Sequence, residues 1–207
     1  MRTHGWGGHP PADDDEAVRR IHDATRACID RLGAATGISD VARELGVTRQ
    51  TVYRYFRSSD DLLAATALSA AAPFLGRVRR HLEGITDPGD AVVEGVAFTL
   101  EQLPNEPYVG LLVQPDQVRT HGHDVTSQPA RSLARSFVDG FGVDWAAHGL
   151  RADDLDELAE HLLRLIQSFV IDPGDPPRSG EDLRRYLRRW VAPAVRPARG
   201  SASRTRS

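Results

Sequence analysis

Lysine is missing from this chain of 207 residues: all 26 of its basic residues are arginine. We attribute that bias to codon usage in a GC-rich genome and read no function from it. Cysteine is almost as scarce. Cys28 is the only one, which excludes an internal disulfide, and it falls in an apolar helical pattern where a small buried thiol is expected. No run approaches the ~18 consecutive apolar residues of a membrane span, and the opening "MRTHGWGGHPPADDD" lacks the apolar stretch of a signal peptide. These absences point to a soluble, cytoplasmic protein. Catalytic signatures are missing too. There is no phosphate-binding glycine loop and no Gly-x-Ser-x-Gly elbow, and "EHLLR" at 160–164 has a single histidine and so is no zinc-protease helix. His121 and His123 in "HGHD" are too few ligands for a metal site, so a solvated loop is expected there. Neither an enzymatic activity nor a metal or cofactor is expected.

Alternating strand-like runs are absent as well, and apolar residues recur at helical spacing almost throughout. A core is affordable at 40% hydrophobic content, so the expectation is an all-α protein. Residues 1–12, rich in Gly, Pro and His, are expected to lack fixed structure. The acids Asp13 to Glu16 suit the positive end of a helix dipole, and a first helix carrying Val18, Ile21, Ala24, Cys28 and Leu32 should stop near Gly33. Shorter helices follow at about 39–45 and 49–56, and Ser58 reads as the cap of the next. Farther on, a long helix contains Pro73, and residues 104–129 are broken by four prolines. The pattern at 152–171 is the strongest helical signal. Ser179 with Asp182 resembles a capping box before a last apolar stripe, and a basic tail at 196–207 is expected to be disordered.

With a net charge of −3, a nucleic acid would have to be met by a local patch. One exists in "SDVARELGVTRQTVYRYFRSSDDL": Arg49, Arg54 and Arg57 lie between Val47 and Ser59 with no acid among them. The stretch reads as a helix-turn-helix. Val41 and Leu45 face inward, Gly46 permits the positive φ that follows a helix end, Val47 plugs the turn and Thr48 caps the next helix. At ~100° per residue, placing Val52 and Phe56 inward turns Gln50, Tyr53, Arg54 and Arg57 outward. Arg49 and Gln50 can offer paired hydrogen bonds to guanine and adenine edges. Thr48, Thr51, Tyr53 and Tyr55 suit phosphates, and Arg54 and Arg57 add charge-assisted backbone contacts.

Residues 15–63 resemble the DNA-binding domain of the TetR family of transcriptional regulators. The resemblance is carried by the initial helix, "VARELGVTRQTVYRYF" and "DDLL", with Thr48, Thr51, Tyr53, Tyr55 and Phe56 at the family's positions. Two departures stand out: Gln50 replaces a commonly small residue, and Ser59 replaces a lysine that contacts phosphate. The resemblance implies an N-terminal helix-turn-helix domain, 13–62, followed by a larger α-helical ligand-binding and dimerisation domain, 63–195. It further implies a homodimer on a palindromic operator of double-stranded DNA, most simply a repressor released by a small-molecule effector. The stripes at 151–171 and 181–192 suit the dimer helices, with Leu162, Phe169, Tyr186, Leu187 and Trp190 as interface candidates. Phe98, Tyr108, Phe137, Phe141 and Trp145 are candidates to line a ligand pocket. The alternative reading is a DNA-binding protein controlled by a protein partner and binding no small ligand.

Overall fold

A computed structural model of the chain describes residues 5–110 and 128–195, all of it helix, turn and loop with no strand among the described residues. The expected disordered tail at 196–207 and the His121/His123 loop lie outside those residues. The helices are α1 (Asp14–Leu32), α2 (Ile38–Glu44), α3 (Arg49–Tyr53), α4 (Ser59–His81), α5 (Pro88–Gln102), α6 (Pro107–Gly110), α7 (Gln128–Asp139), α8 (Ala152–Ile171), α9 (Gly180–Trp190) and α10 (Ala192–Val195). They divide into two compact units: Met1–Phe74 with Asn105–Ala130, and Leu75–Pro104 with Arg131–Ser207. The boundary expected between residues 62 and 63 and the division between Phe74 and Leu75 both lie within α4, which continues through Pro73 to His81.

In the first unit, α1 begins as its acids predict. Asp13 caps it by accepting from the Glu16 N–H at 2.7 Å, and Gly33, at φ 61°, ends it. Its inner face, Ile21, Ala24 and Cys28, meets Val41 and Ala42 of α2, Val52 of α3, Phe56, and Leu62 of α4 in one core. Burial holds the Cys28 thiol above its usual range. Ser58 caps α4 through the Asp61 N–H at 3.0 Å. The first residues depart from expectation. Gly5 to Ala12 fold back onto this unit, where Trp6 packs against the core, its N–H donates to the Leu45 carbonyl at 3.0 Å, and the His9 carbonyl accepts from Arg20 at 2.6 Å.

In the second unit α5 is the central helix. Ala91, Val92, Val93, Val96 and Ala97 are fully buried, as a helix apolar on nearly every side requires, and α8, α9 and α10 pack against it. Asp87 caps it by accepting from the Asp90 N–H at 2.9 Å. Arg184 of α9 clamps the same helix: its guanidinium reaches Glu94 at 2.9 Å and Glu101 at 2.5 Å. Ser179 does precede α9, but its side chain makes no capping bond. Asp182 turns instead to Arg178 and Arg185, so the charged partners outcompete the expected capping box.

Candidate nucleic-acid interface

The turn between α2 and α3 fixes the candidate reading helix. Gly46 takes φ 64°, the left-handed conformation that costs a glycine least, and the Val47 N–H returns to the Ala42 carbonyl at 2.9 Å. Thr48 then caps α3 through its side chain, accepting from the Thr51 N–H at 3.2 Å. The threonine hydroxyls also meet at 3.0 Å. Regular α-helix ends at Tyr53, three residues short of the expected Phe56. The Phe56 N–H still bonds the Val52 carbonyl at 3.0 Å, which keeps its ring turned into the core. Val52 and Phe56, 0% and 6% exposed, are the inward anchors the spacing predicts.

With those anchors buried, Thr48, Arg49, Gln50, Tyr53, Arg54 and Arg57 all stand exposed, and Thr51 and Tyr55 are half-buried. Tyr53 is among the few large apolar side chains at the surface, 53% exposed. Arg54 and Tyr55 are less free than the outward face suggests. Asp14, at the start of α1, accepts from Arg54 Nη2 at 3.1 Å and from the Tyr55 hydroxyl at 2.8 Å, and the guanidinium also bonds that hydroxyl. Asp14 was invisible as a partner in the sequence because its signal there, an acid in a first helical turn, is fully explained by the helix dipole. Ser59, where the family pattern places a phosphate-binding lysine, has another use: its Oγ accepts from the Ile38 N–H at 3.2 Å and so ties the starts of α2 and α4.

The remaining candidates are scattered. Leu162 and Leu187 are 1% and 0% exposed and belong to the interior of their own unit, because their helices turn those positions toward α5. Phe169 and Tyr186 are half-buried and meet edge to face at 5.8 Å, and Trp190 is 63% exposed. Ile171, not singled out in the sequence, adds to the exposed apolar surface at 51%. Of the pocket candidates, Tyr108 lies in the first unit, packed on Ile29 and Leu63 with its hydroxyl donating to Asp30 at 2.8 Å. The other four lie in the second. Phe98 stacks on His81 at 4.4 Å, and Phe137 and Phe141 form an edge-to-face pair at 4.9 Å against Gly95. These two rings fill the core.

Trp145 borders a cleft of about 460 Å³, with Arg135, Val143, Leu150 and Leu155 on its walls. A second cleft of about 500 Å³ is lined by His148, Asp154, Glu157, Leu158, His161 and Val195. Among the described residues no cluster of His, Cys, Asp and Glu could hold a metal ion, and no helix is long and apolar enough to cross a membrane.

Known proteins share this arrangement. Residues 21–66, from within α1 into α4, match the family described as bacterial regulatory proteins, tetR family. The HTH-type transcriptional regulator AlkX of Mycobacterium tuberculosis (strain ATCC 25618 / H37Rv) is 28% identical over 195 residues, covering 89% of this chain and 88% of its own. An uncharacterized HTH-type transcriptional regulator of the same strain, Rv1255c, is 24% identical over 90% of this chain and 89% of its own. Among solved structures, the TetR family repressor AlkX from Dietzia sp. strain DQ12-45-1b superposes with a TM-score of 0.58 at 22% identity, covering 90% of this chain and 97% of that one. The fatty acid degradation regulator FadR from Bacillus halodurans does so with a TM-score of 0.50 at 16% identity, over 87% and 97%. The two structural likenesses establish the fold. Together with the family match over residues 21–66, they give this chain a tetR-type helix-turn-helix at its start and the fold of the TetR-type transcriptional regulators.

Proposed function

We propose that the protein is a homodimeric repressor that binds a palindromic operator and leaves it when a small molecule binds the second unit. The observation that carries this reading is the capped, arginine-bearing helix α3, which stands clear of its own core with Arg49 and Gln50 exposed at its start. A helix presented N-terminus first is the geometry of major-groove reading. There Arg49 suits a guanine edge, Gln50 an adenine edge, and Thr48, Thr51, Tyr53, Arg54, Tyr55 and Arg57 the phosphates. Two copies are needed because one such helix makes few contacts, and half-sites about one helical turn of DNA apart then follow from the two-fold axis. The exposed Ile171 and Trp190, with the half-buried pair Phe169 and Tyr186 on the same two helices, support placing that axis at α8 and α9.

Repression is supported by the likeness to the Dietzia repressor, and the two clefts described in the second unit are the candidate seats for an effector. An effector acts only through a difference in its affinity for the DNA-bound and free arrangements. Arg49→Ala and Tyr53→Ala, on exposed sites, should leave the fold intact; the first should weaken operator binding by about ten- to a hundredfold, as the loss of a bidentate base contact worth ~1–3 kcal/mol requires, and the second, at a phosphate contact, should weaken it less and alike on all sequences. Both variants binding as the parent does would remove α3 from the reading role.

A further inference from the structure

The segment that precedes α1 is built in a way a loose tail would not be. Trp6, Gly7 and Gly8 form one turn of 3-10 helix with φ of 67°, 65° and 89°, three successive residues in the left-handed region. Glycine enters that region freely, but a bulky L-residue such as tryptophan does so only when its surroundings over-determine it. Two sets of contacts hold it there. The indole packs against the core of the helix-turn-helix, and the Trp6 N–H donates to the carbonyl of Leu45, the residue that ends α2. Beside it the chain comes so close to the turn that a Cβ on Gly5 would stand 3.0 Å from Val47 Cγ1 and 3.1 Å from the Gly46 carbonyl oxygen. Leu45, Gly46 and Val47 are the residues that set the direction in which Thr48 starts α3. The strained segment therefore closes over the hinge of the motif.

We infer that Trp6 is a positioning residue for DNA recognition, holding the Leu45–Gly46–Val47 turn so that α3 is presented at one fixed angle. This rests on α3 being the reading helix. Base-edge contacts depend on that angle, whereas sequence-independent attraction to phosphates tolerates its loss, so the effect is on specificity. Neither Trp6 nor the turn carries charge, and counterion release is left as it is.

The test compares the full-length protein with Trp6→Ala and Trp6→Phe, the latter keeping an aromatic ring at the same place. Hydrogen exchange on the DNA-free proteins comes first. The amides of Val47 to Val52 should exchange at least about tenfold faster in Trp6→Ala, with those in the middle of α1 unchanged, and Trp6→Phe should restore most of the protection. Binding follows, to the best duplex from a random pool and to an unrelated one, at several salt concentrations. Trp6→Ala should lose about tenfold or more on the selected duplex and little on the unrelated one, with the same salt slope. Unchanged exchange at the turn, exchange raised equally throughout the unit, or equal loss on both duplexes would overturn the inference. A parent protein that selects no duplex, with the exchange result as expected, would refute the reading role of α3 and leave Trp6 as the clamp of the turn alone.

Discussion

Gly95 tests whether Phe137 and Phe141 fill the core or line a space kept for a ligand. It sits in the interior of α5, where replacing glycine by alanine ordinarily gains about 1 kcal/mol of helix stability. Here the new Cβ would stand 2.6 Å from Phe141 Cζ, 3.1 Å from Cε1 and 3.3 Å from Phe137 Cζ. The rings are 5% and 7% exposed and braced against each other edge to face, with Trp145 a further 6.1 Å beyond Phe141. They cannot swing aside cheaply. Overpacking of this kind costs ~1–3 kcal/mol. Set against the helix gain, Gly95→Ala should destabilise the protein by about 1 kcal/mol. Shortening the ring removes the clash, so the same substitution in a Phe141→Leu background should stabilise by several tenths of a kcal/mol up to about 1. Urea unfolding of the four proteins, followed by tryptophan fluorescence and far-ultraviolet circular dichroism, measures the cycle. Stabilisation of the parent by the full helix gain would refute the packing argument and restore Phe141 as the wall of an open cavity.

Two further predictions concern charge. Arg184→Met removes the guanidinium that Glu94 and Glu101 share, whose pKa the hydrogen bond to Glu101 raises further above its already high value, and leaves Glu94 only Arg188 at 3.6 Å and His81 at 3.5 Å. The side chain is 16% exposed, so the loss should reach about 2 kcal/mol in urea unfolding, below the 3–5 of a fully buried pair. An unchanged midpoint would mean that the clamp contributes nothing. His22, which shares a hydrogen bond of 2.8 Å with Thr66 and lies 5.4 Å from the Phe56 ring, has its pKa pushed below 6.5 by burial and then by Arg26. Its neutral form is the stable one. The corresponding stability is complete above about pH 6.5 and is lost as the pH falls through the lower folded value. The midpoint of thermal unfolding of the parent should therefore drop more steeply below that pH than that of His22→Gln. Parallel curves would contradict it.

What the sequence disclosed tracks the range of the forces involved. The helix-turn-helix was legible because its determinants are local: Gly46 for a left-handed backbone, Thr48 and Ser58 as caps, Val52 and Phe56 spaced to face inward. Helical period also placed α5 and α8 close to their observed bounds. It could not say which neighbour an apolar face meets, so Leu162 and Trp190, drawn from equally apolar stripes, ended 1% and 63% exposed. Long-range pairs left no trace in composition or period. Asp14 reaching Arg54 and Tyr55 across forty residues is one. Trp6 is another: the glycines and prolines around it signal disorder, yet one large ring and one backbone bond are enough to pin the segment. The Ser179 cap failed for a related reason, since nearby arginines compete for Asp182.

The central claim is that α3 reads DNA as one of two symmetric copies, and its most direct test is selection of bound sequences from a random duplex pool. The winner would then be titrated at several salt concentrations with the stoichiometry measured. The account predicts a palindrome with half-sites at a fixed spacing of about one helical turn, or a multiple of it, bound by two chains with affinity that falls steeply with salt. Failure of the folded protein to enrich any duplex, or enrichment of a single half-site bound by one chain, would contradict it.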